Sequence, residues 1–156
     1  MTQDNPLALD AQVCFALYSG EKAVASAYRD LLRPLGLTYA QYLVMLALWE
    51  EDGQSVSALG RRLGLDSGTL SPLLKRLEAA GRLERRRAAS DERMVGVHLT
   101  AAGAELRAGA LAVPEELFGR MGLEPAEADE LGRLLRKICA HHPAGTARTP
   151  HGKEKP

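Results

Sequence analysis

The sequence predicts a mostly helical protein with one small β-hairpin. Apolar residues recur at helical spacing through most of the chain, and strict alternation replaces that period only between residues 83 and 99. Hydrophobic residues make up 46% of the 156 residues, which argues against a disordered chain and is enough for one domain with a core. We therefore expect a single domain over 1–142 and a disordered tail over 143–156.

Charge is segregated along the chain. The 20 basic and 20 acidic residues cancel, and such a total alone argues against a nucleic-acid-binding protein. Residues 1–59, however, hold 3 basic and 7 acidic side chains, whereas residues 60–93 hold 9 basic and 5 acidic ones. The middle of the chain is therefore a basic segment that requires an explanation.

Two helices are expected before this basic segment. The first spans Leu9 to Leu35, and either Asn5-Pro6 or Asp10 could provide its start. Pro34 and Gly36 end it. Thr38 then caps a second helix that runs to about Glu51, and we expect its buried face to consist of Tyr42, Leu43, Leu46 and Trp49.

The basic segment has the order of a winged helix. Ser55 caps a short helix, Gly64-Leu65 breaks it, and Asp66 or Ser67 caps a second helix that ends at Gly81, which is a helix-turn-helix pattern. Two alternating runs then form a hairpin with a polar tip. Helices are predicted again from Ala101 to about Met121 and after Glu124-Pro125. The fold class is thus mostly α with a small β-wing, with the winged helix-turn-helix over 55–99.

The order of a helix-turn-helix followed by a basic hairpin matches the shape and charge of double-stranded DNA. A recognition helix fits the major groove, and a basic wing reaches the flanking backbone or minor groove. We expect Asp91 to orient an arginine of the wing by a bidentate pair. The alternative is that the arginines only form a solvated charged face. The candidate DNA-binding residues are Ser67, Thr69, Ser71, Lys75, Arg76, Arg85, Arg86, Arg87, Asp91 and Arg93.

Residues 70–103, LSPLLKRLEAAGRLERRRAASDERMVGVHLTAAG, resemble the winged-helix core of MarR-family regulators. The similarity is clearest in LLKRLEAAGRLERR, in the DER motif of the wing and in LTAAG at its exit. The resemblance implies a homodimer built by the helices of 7–51 and 100–142. It also implies that this dimer represses transcription by binding pseudo-palindromic double-stranded operator DNA, one recognition helix per half-site.

Cys14 lies in the apolar stretch QVCFALY. A free cysteine is usually just a small buried hydrophobe. Tyr18, however, lies one turn away on the same face. Tyr28 is about 21 Å further along a straight helix, so it cannot touch Cys14 of its own chain unless the helix breaks, for example at Ser19-Gly20. If two such helices cross antiparallel in a dimer, Tyr28 and Tyr39 of one subunit could meet Cys14 of the other. A start at Asp10 would also place Cys14 where the helix dipole favours a thiolate.

This constellation is similar to the organic-hydroperoxide-sensing OhrR branch of the MarR family. The resemblance rests on CFALY (residues 14–18) and LTYAQYLV (residues 37–44), and Val13 is its visible departure. It implies that Cys14 is the peroxide-sensing cysteine and that an organic hydroperoxide is the effector. It also implies that Tyr18, Tyr28 and Tyr39 form hydrogen bonds with this cysteine. Either Cys139 or a small thiol would then resolve the sulfenic acid.

Two other functions stay open on the sequence alone. One is a MarR-type repressor that responds to a small phenolic or aromatic ligand, and the other is a thiol peroxidase that uses Cys14. We expect no enzyme activity, because a thiol peroxidase would have no need of the basic wing in residues 55–99. We expect no cofactor and no metal, because no Cys/His pair has zinc spacing and phosphate-binding loops are missing. No signal peptide or membrane helix is visible, so a cytoplasmic protein is expected.

Overall fold

The computed structural model describes residues 5–88 and 91–141, and the side chains of 5–86 and 95–141. A short 3₁₀ turn (Leu9–Ala11) precedes helix α1, and another (Arg33–Leu35) follows it. The order of elements is α1 (Val13–Leu32), α2 (Tyr39–Glu50), β1 (Gln54–Ser55), α3 (Val56–Leu63), α4 (Ser67–Ala79), β2 (Leu83–Ala88), β3 (Asp91–Leu99), α5 (Ala101–Ala110), α6 (Val113–Met121) and α7 (Pro125–His141).

Helix α1 starts later than either expected start. Asn5 accepts a hydrogen bond from the Leu7 amide (3.0 Å) and Asp10 lies in the 3₁₀ turn, so both precede the helix. Gln12 occupies the N-cap, and its side chain amide donates to the Pro6 and Ala8 carbonyls instead of capping α1. Helix α1 then runs for 20 residues without a break at Ser19-Gly20.

Helix α2 begins as the sequence predicts, but its buried face differs. Thr38 and Gln41 form a reciprocal capping box. The helix buries Tyr42, and also Val44, Met45, Ala47 and Leu48, whereas Leu46 stays 39% exposed. The expected face was wrong at Leu46 because α2 is apolar all round, so periodicity alone could not select the buried side.

The helix-turn-helix and the wing form as predicted. Ser55 and Asp66 cap α3 and α4 through their side chains, and Gly64 between them is left-handed with φ of 65°. Strands β2 and β3 pair antiparallel from Leu83–Leu99 to Arg87–Val95, with a bulge before Ala88. Strand β1 adds to β3, which gives a three-stranded sheet of order β1-β3-β2 instead of a hairpin alone.

The predicted helix from Ala101 to Met121 is divided into α5 and α6. The break falls at Leu111 and Ala112, just before Pro114, which is in the first turn of α6. Proline lacks an amide proton, and its ring would collide with the Ala110 carbonyl in a continuous helix. The expectation of one helix was therefore wrong, and proline at a first turn explains the new start.

One core joins α1, α2, the winged helix and the start of α6. Its fully buried members include Leu32, Leu48, Leu59, Leu74 and Val97. Helix α7, by contrast, has no buried residue. Among the described residues, no single helix is long and apolar enough to span a membrane, although the bent pair Val13–Leu35 and Tyr39–Glu50 meets the length and composition criteria jointly, with a 66° bend.

Candidate functional site

Helix α4 presents the predicted recognition residues to solvent. Its inner face buries Leu70, Leu73, Leu74 and Leu77, which fixes the opposite face outward. The Asp66 carboxylate accepts a hydrogen bond from the Thr69 amide (2.8 Å) and so holds the first turn. The helix continues through Pro72. All of the predicted helix residues are exposed: Ser67, Thr69, Ser71, Lys75 and Arg76.

The arginines of the wing have different surroundings. Arg85 forms an ion pair with Glu78 of α4 (2.6 Å), whereas Arg86 pairs with Glu84 on its own strand. The hydrogen bonds from Arg85 lower the pKa of the Glu78 carboxyl from its ordinary value. The backbones of Arg87, Asp91 and Arg93 lie in β2 and β3, but their side chains are outside the described part of the structure.

A groove between α3, α4 and the wing extends this surface. Hydroxyl groups and arginines line much of it, over an apolar floor that includes Leu70 and Leu74. The sequence reasoning missed Ser57 and Arg61, which lie four residues apart on α3 and thus on one face. That spacing, next to the predicted recognition helix, was the available signal. The polar lining residues are Ser55, Ser57, Arg61, Ser67, Ser71 and Arg85.

Cys14 is an exposed thiol in the first turn of α1. Tyr18 is one turn further on, and the Lys22 ammonium lies 4.4 Å from the centroid of the Tyr18 ring. Because α1 is continuous, Tyr28 is about 21 Å further along the helix and cannot reach Cys14 of the same chain.

The other two predicted tyrosines meet at the far end of α1. The ring centroids of Tyr28 and Tyr39 are 4.5 Å apart, and Tyr42 continues the cluster at 5.9 Å from Tyr28. Burial, reinforced by Tyr39 and Tyr42, raises the pKa of Tyr28 to about 12. Burial and then the Glu21 carboxylate raise the pKa of Tyr39. Both phenols are therefore neutral hydrogen-bond donors near neutral pH.

Cys139 lies near the end of α7 and is also free and exposed. It belongs to the helix whose apolar side chains remain uncovered, including Leu131, Leu134, Leu135 and Ile138. Within residues 5–88 and 91–141, no cluster of three or more His, Cys, Asp or Glu side chains could hold a metal ion.

Comparison with known proteins identifies the family. Residues 26–108 match the model of the SarA/Rot transcriptional regulators. The chain is 45% identical over 153 residues to the HTH-type transcriptional regulator TtmR of Methylorubrum extorquens, covering 95% of this chain and 77% of that protein. It is 40% identical over 126 residues to the organic hydroperoxide resistance transcriptional regulator of Bacillus subtilis, covering 81% and 84%.

Solved structures agree with this assignment. Reduced AbfR bound to DNA superimposes with a TM-score of 0.74 at 37% identity, over 90% of this chain and 96% of that one, and AbfR is a protein of Staphylococcus epidermidis. The matched family and both of these sequence relatives are transcriptional regulators and not thiol peroxidases. A MarR variant of E. coli in complex with operator DNA also superimposes, with a TM-score of 0.71 at 26% identity, over 79% of this chain and 90% of that one. The chain belongs to the SarA/Rot and MarR family of winged-helix transcriptional regulators and resembles its OhrR-like branch.

Proposed function

We propose that the protein is a dimeric repressor that binds operator DNA and releases it when an organic hydroperoxide oxidises Cys14. The observation that carries this proposal is the layout of helix α1, which has an exposed thiol in its first turn and two adjoining phenol donors, Tyr28 and Tyr39, at its other end. An antiparallel partner would bring the two ends together. The relatives named for organic hydroperoxide resistance and for reduced AbfR on DNA support the same reading.

The partner in this proposal is a second copy of the chain. Large apolar side chains remain uncovered on α1, α6 and α7: Val13, Leu17, Phe118, Leu131, Leu134, Leu135 and Ile138. Large apolar side chains exposed in such number indicate an interaction site. A dimer formed through these helices would place the two α4 helices on one face, as two half-sites of a pseudo-palindromic operator require.

The sensing chemistry is a two-electron oxidation. The Cys14 thiolate attacks one peroxide oxygen, the O–O bond breaks, and the leaving alkoxide takes up a proton to become the alcohol, which leaves Cys14 as the sulfenic acid. Tyr18 of the same chain and Tyr28 and Tyr39 of the partner would donate hydrogen bonds to the sulfur and the peroxide. A thiol then displaces water and forms a disulfide, and either Cys139 or a small thiol supplies it.

Release of the operator would follow from the position of Cys14 in the proposed dimer interface. Oxidation introduces a polar group or a bridge into the proposed interface between helices. Packed interfaces change between discrete arrangements instead of deforming continuously. A shift there alters the separation of the two α4 helices, so that both half-sites are no longer engaged at once.

The test measures DNA binding before and after oxidation. A duplex selected from a random-sequence library by the reduced wild type serves as the operator, and a scrambled duplex serves as the non-specific control. With a slight excess of cumene hydroperoxide, we expect the wild type and Cys139→Ser to release the operator and Cys14→Ser to remain bound. Release by Cys14→Ser would contradict the mechanism, and no binding by reduced wild type would contradict repression.

Mass spectrometry of the oxidised protein identifies the resolving thiol. A crosslink between Cys14 and Cys139 assigns that role to Cys139. A small-thiol adduct on Cys14, without a crosslink, excludes Cys139 from it. In either case the mass of the Cys14 peptide shows that this residue is the one oxidised.

One observation favours a second candidate, a repressor controlled by a small aromatic ligand. A cleft of about 500 Å³ opens between α2, α3, α5 and α6, and it combines Tyr42 and Trp49 with Arg62 and Arg107. Aromatic walls with a few polar groups are typical of ligand sites. An aromatic acid such as salicylate would then release the operator equally from the wild type and Cys14→Ser.

A further inference from the structure

The end of the recognition helix is joined to the wing by one side-chain pair. Glu78 lies in the last turn of α4, and Arg85 lies in β2, seven residues later. The Arg85 Nε and one terminal nitrogen donate to the same carboxylate oxygen at 3.0 and 2.6 Å. The Arg85 amide donates to the other carboxylate oxygen at 3.2 Å. Glu78 therefore holds both the side chain and the backbone of Arg85.

The face of the strand explains this contact. Side chains alternate along β2, so Arg85 shares a face with the buried Leu83, whereas Glu84 and Arg86 lie on the other face. Arg85 is also paired across the sheet with Val97, which is fully buried. Its stem thus lies against the core side of the wing, and its guanidinium reaches the end of α4.

Two further hydrogen bonds hold the other long strand of the wing at the point where β3 ends. The Thr100 hydroxyl donates to the Gly81 carbonyl at 2.6 Å, and the Arg82 carbonyl accepts from the Thr100 amide at 3.2 Å. These bonds fix the exit of β3 to the turn after α4. Glu78 and Arg85 thus attach β2 to the recognition helix, and the Thr100 bonds attach the end of β3 to the turn that follows it.

We propose that Glu78 and Arg85 form a clamp that sets the position of the wing relative to the recognition helix, and that Arg85 supports operator binding through Glu78 instead of through a phosphate. Both are positioning residues in this proposal. The clamp proposal rests on the proposed function only in that the winged helix binds operator DNA, and it is independent of the oxidation of Cys14.

The reason for a clamp is geometric. The recognition helix and the wing must reach neighbouring parts of one duplex at the same time. A carboxylate that accepts bonds from both a guanidinium and a backbone amide restricts direction as well as distance. Loss of this restriction lets the wing move about its base, so that specific binding falls while non-specific attraction to phosphate persists.

The decisive test is the direction in which DNA affinity changes when Glu78 is replaced, because electrostatics and the clamp predict opposite directions. Replacement of Glu78 by Ala or Gln removes a negative charge from the winged helix, and electrostatics alone predicts tighter binding to DNA. The clamp predicts the opposite: Glu78→Ala weakens binding to the selected operator by about tenfold. We expect Arg85→Ala to weaken it similarly, without a change in the slope of log affinity against log salt, and the double variant to be no weaker than either single one.

Several outcomes would overturn the clamp. Tighter or unchanged operator binding by Glu78→Ala contradicts it, as does a fall in the salt slope of about 0.9 for Arg85→Ala, which is the value for one lost phosphate contact. Additive losses in the double variant would also contradict it. Glu78→Gln keeps an acceptor and should bind between wild type and Glu78→Ala.

Two controls keep the result interpretable. Glu84→Ala removes the same charge from the other face of β2, where it pairs with Arg86, and it should not weaken operator binding. Urea unfolding and binding to the scrambled duplex identify a variant that has lost its fold. If reduced wild type binds no selected duplex, the proposed function fails, and that result is distinct from failure of the clamp.

Discussion

Tyr28 is half-buried between Tyr39 and Tyr42, and its pKa is raised to about 12 by that burial and by its neighbours. In the unfolded chain the phenol ionises near its ordinary pKa of 10. Between these values the folded state retains a proton that the unfolded state has lost. The free energy of unfolding should therefore be unaffected by this group below pH 10 and should decrease as the pH rises towards 12.

Tyr28→Phe provides the comparison. The variant lacks the ionisable group, so its loss of stability between pH 10 and 12 should be smaller than that of the wild type. Urea unfolding followed by circular dichroism at a series of pH values measures both slopes. Equal slopes would show that Tyr28 ionises at its ordinary pKa in the folded protein.

Individual site residues could be predicted from the sequence where they are close to one another along the chain. Cys14 and Tyr18 are one turn apart, and the distance along a continuous helix already separated Cys14 from Tyr28. The bond between Glu78 and Arg85 was not predicted, because it joins a helix to a strand across a turn. Arg85 therefore looked like any other arginine of the wing.

At the scale of elements, Gly103 shows why α5 packs where it does. A Cβ at this position would collide with the Arg82 carbonyl oxygen at the base of the wing. Gly103 is buried, and its own carbonyl accepts the Trp49 indole N–H at 2.9 Å. Only glycine allows helix α5 to approach the turn after α4 this closely.

Gly103→Ala should therefore destabilise the protein by about 1–3 kcal/mol, as overpacking does. Gly119 in α6 is the matched control, since a Cβ there would meet no atom within 4 Å. Gly119→Ala should be stabilising by about 0.5–1 kcal/mol, because alanine favours a helix interior. Urea unfolding of both variants tests the pair, and a neutral Gly103→Ala would show that the close approach is not required.

The elements themselves were largely predictable because their signals are local. Thr38 and Ser55 cap the helices that they were expected to cap, and Asp66 is the one of its two candidates that caps α4. Strand β1 was missed because two residues carry no period and depend on β3 for pairing. The helix after Glu124-Pro125 also forms, as α7, but its apolar face stays uncovered in a single chain.

At the scale of the whole molecule, one series of hydrogen bonds joins α2 to the turn that follows the recognition helix. The Trp49 indole donates to the Gly103 carbonyl, the Gly103 amide donates to the Thr100 hydroxyl at 3.0 Å, and that hydroxyl donates to Gly81. Trp49 also contacts Tyr42 edge-on, with centroids 6.2 Å apart. The tyrosine cluster, the wing and α4 are thus linked through α2 and α5.

Trp49 is the only tryptophan, so its fluorescence reports on this junction alone. If oxidation of Cys14 moves the recognition helices through α2 and α5, cumene hydroperoxide should change the Trp49 emission in the wild type and leave it unchanged in Cys14→Ser. The change should occur over the same range of peroxide concentration as operator release. Release without a change in emission would show that the movement bypasses Trp49 and passes through the interface between subunits alone.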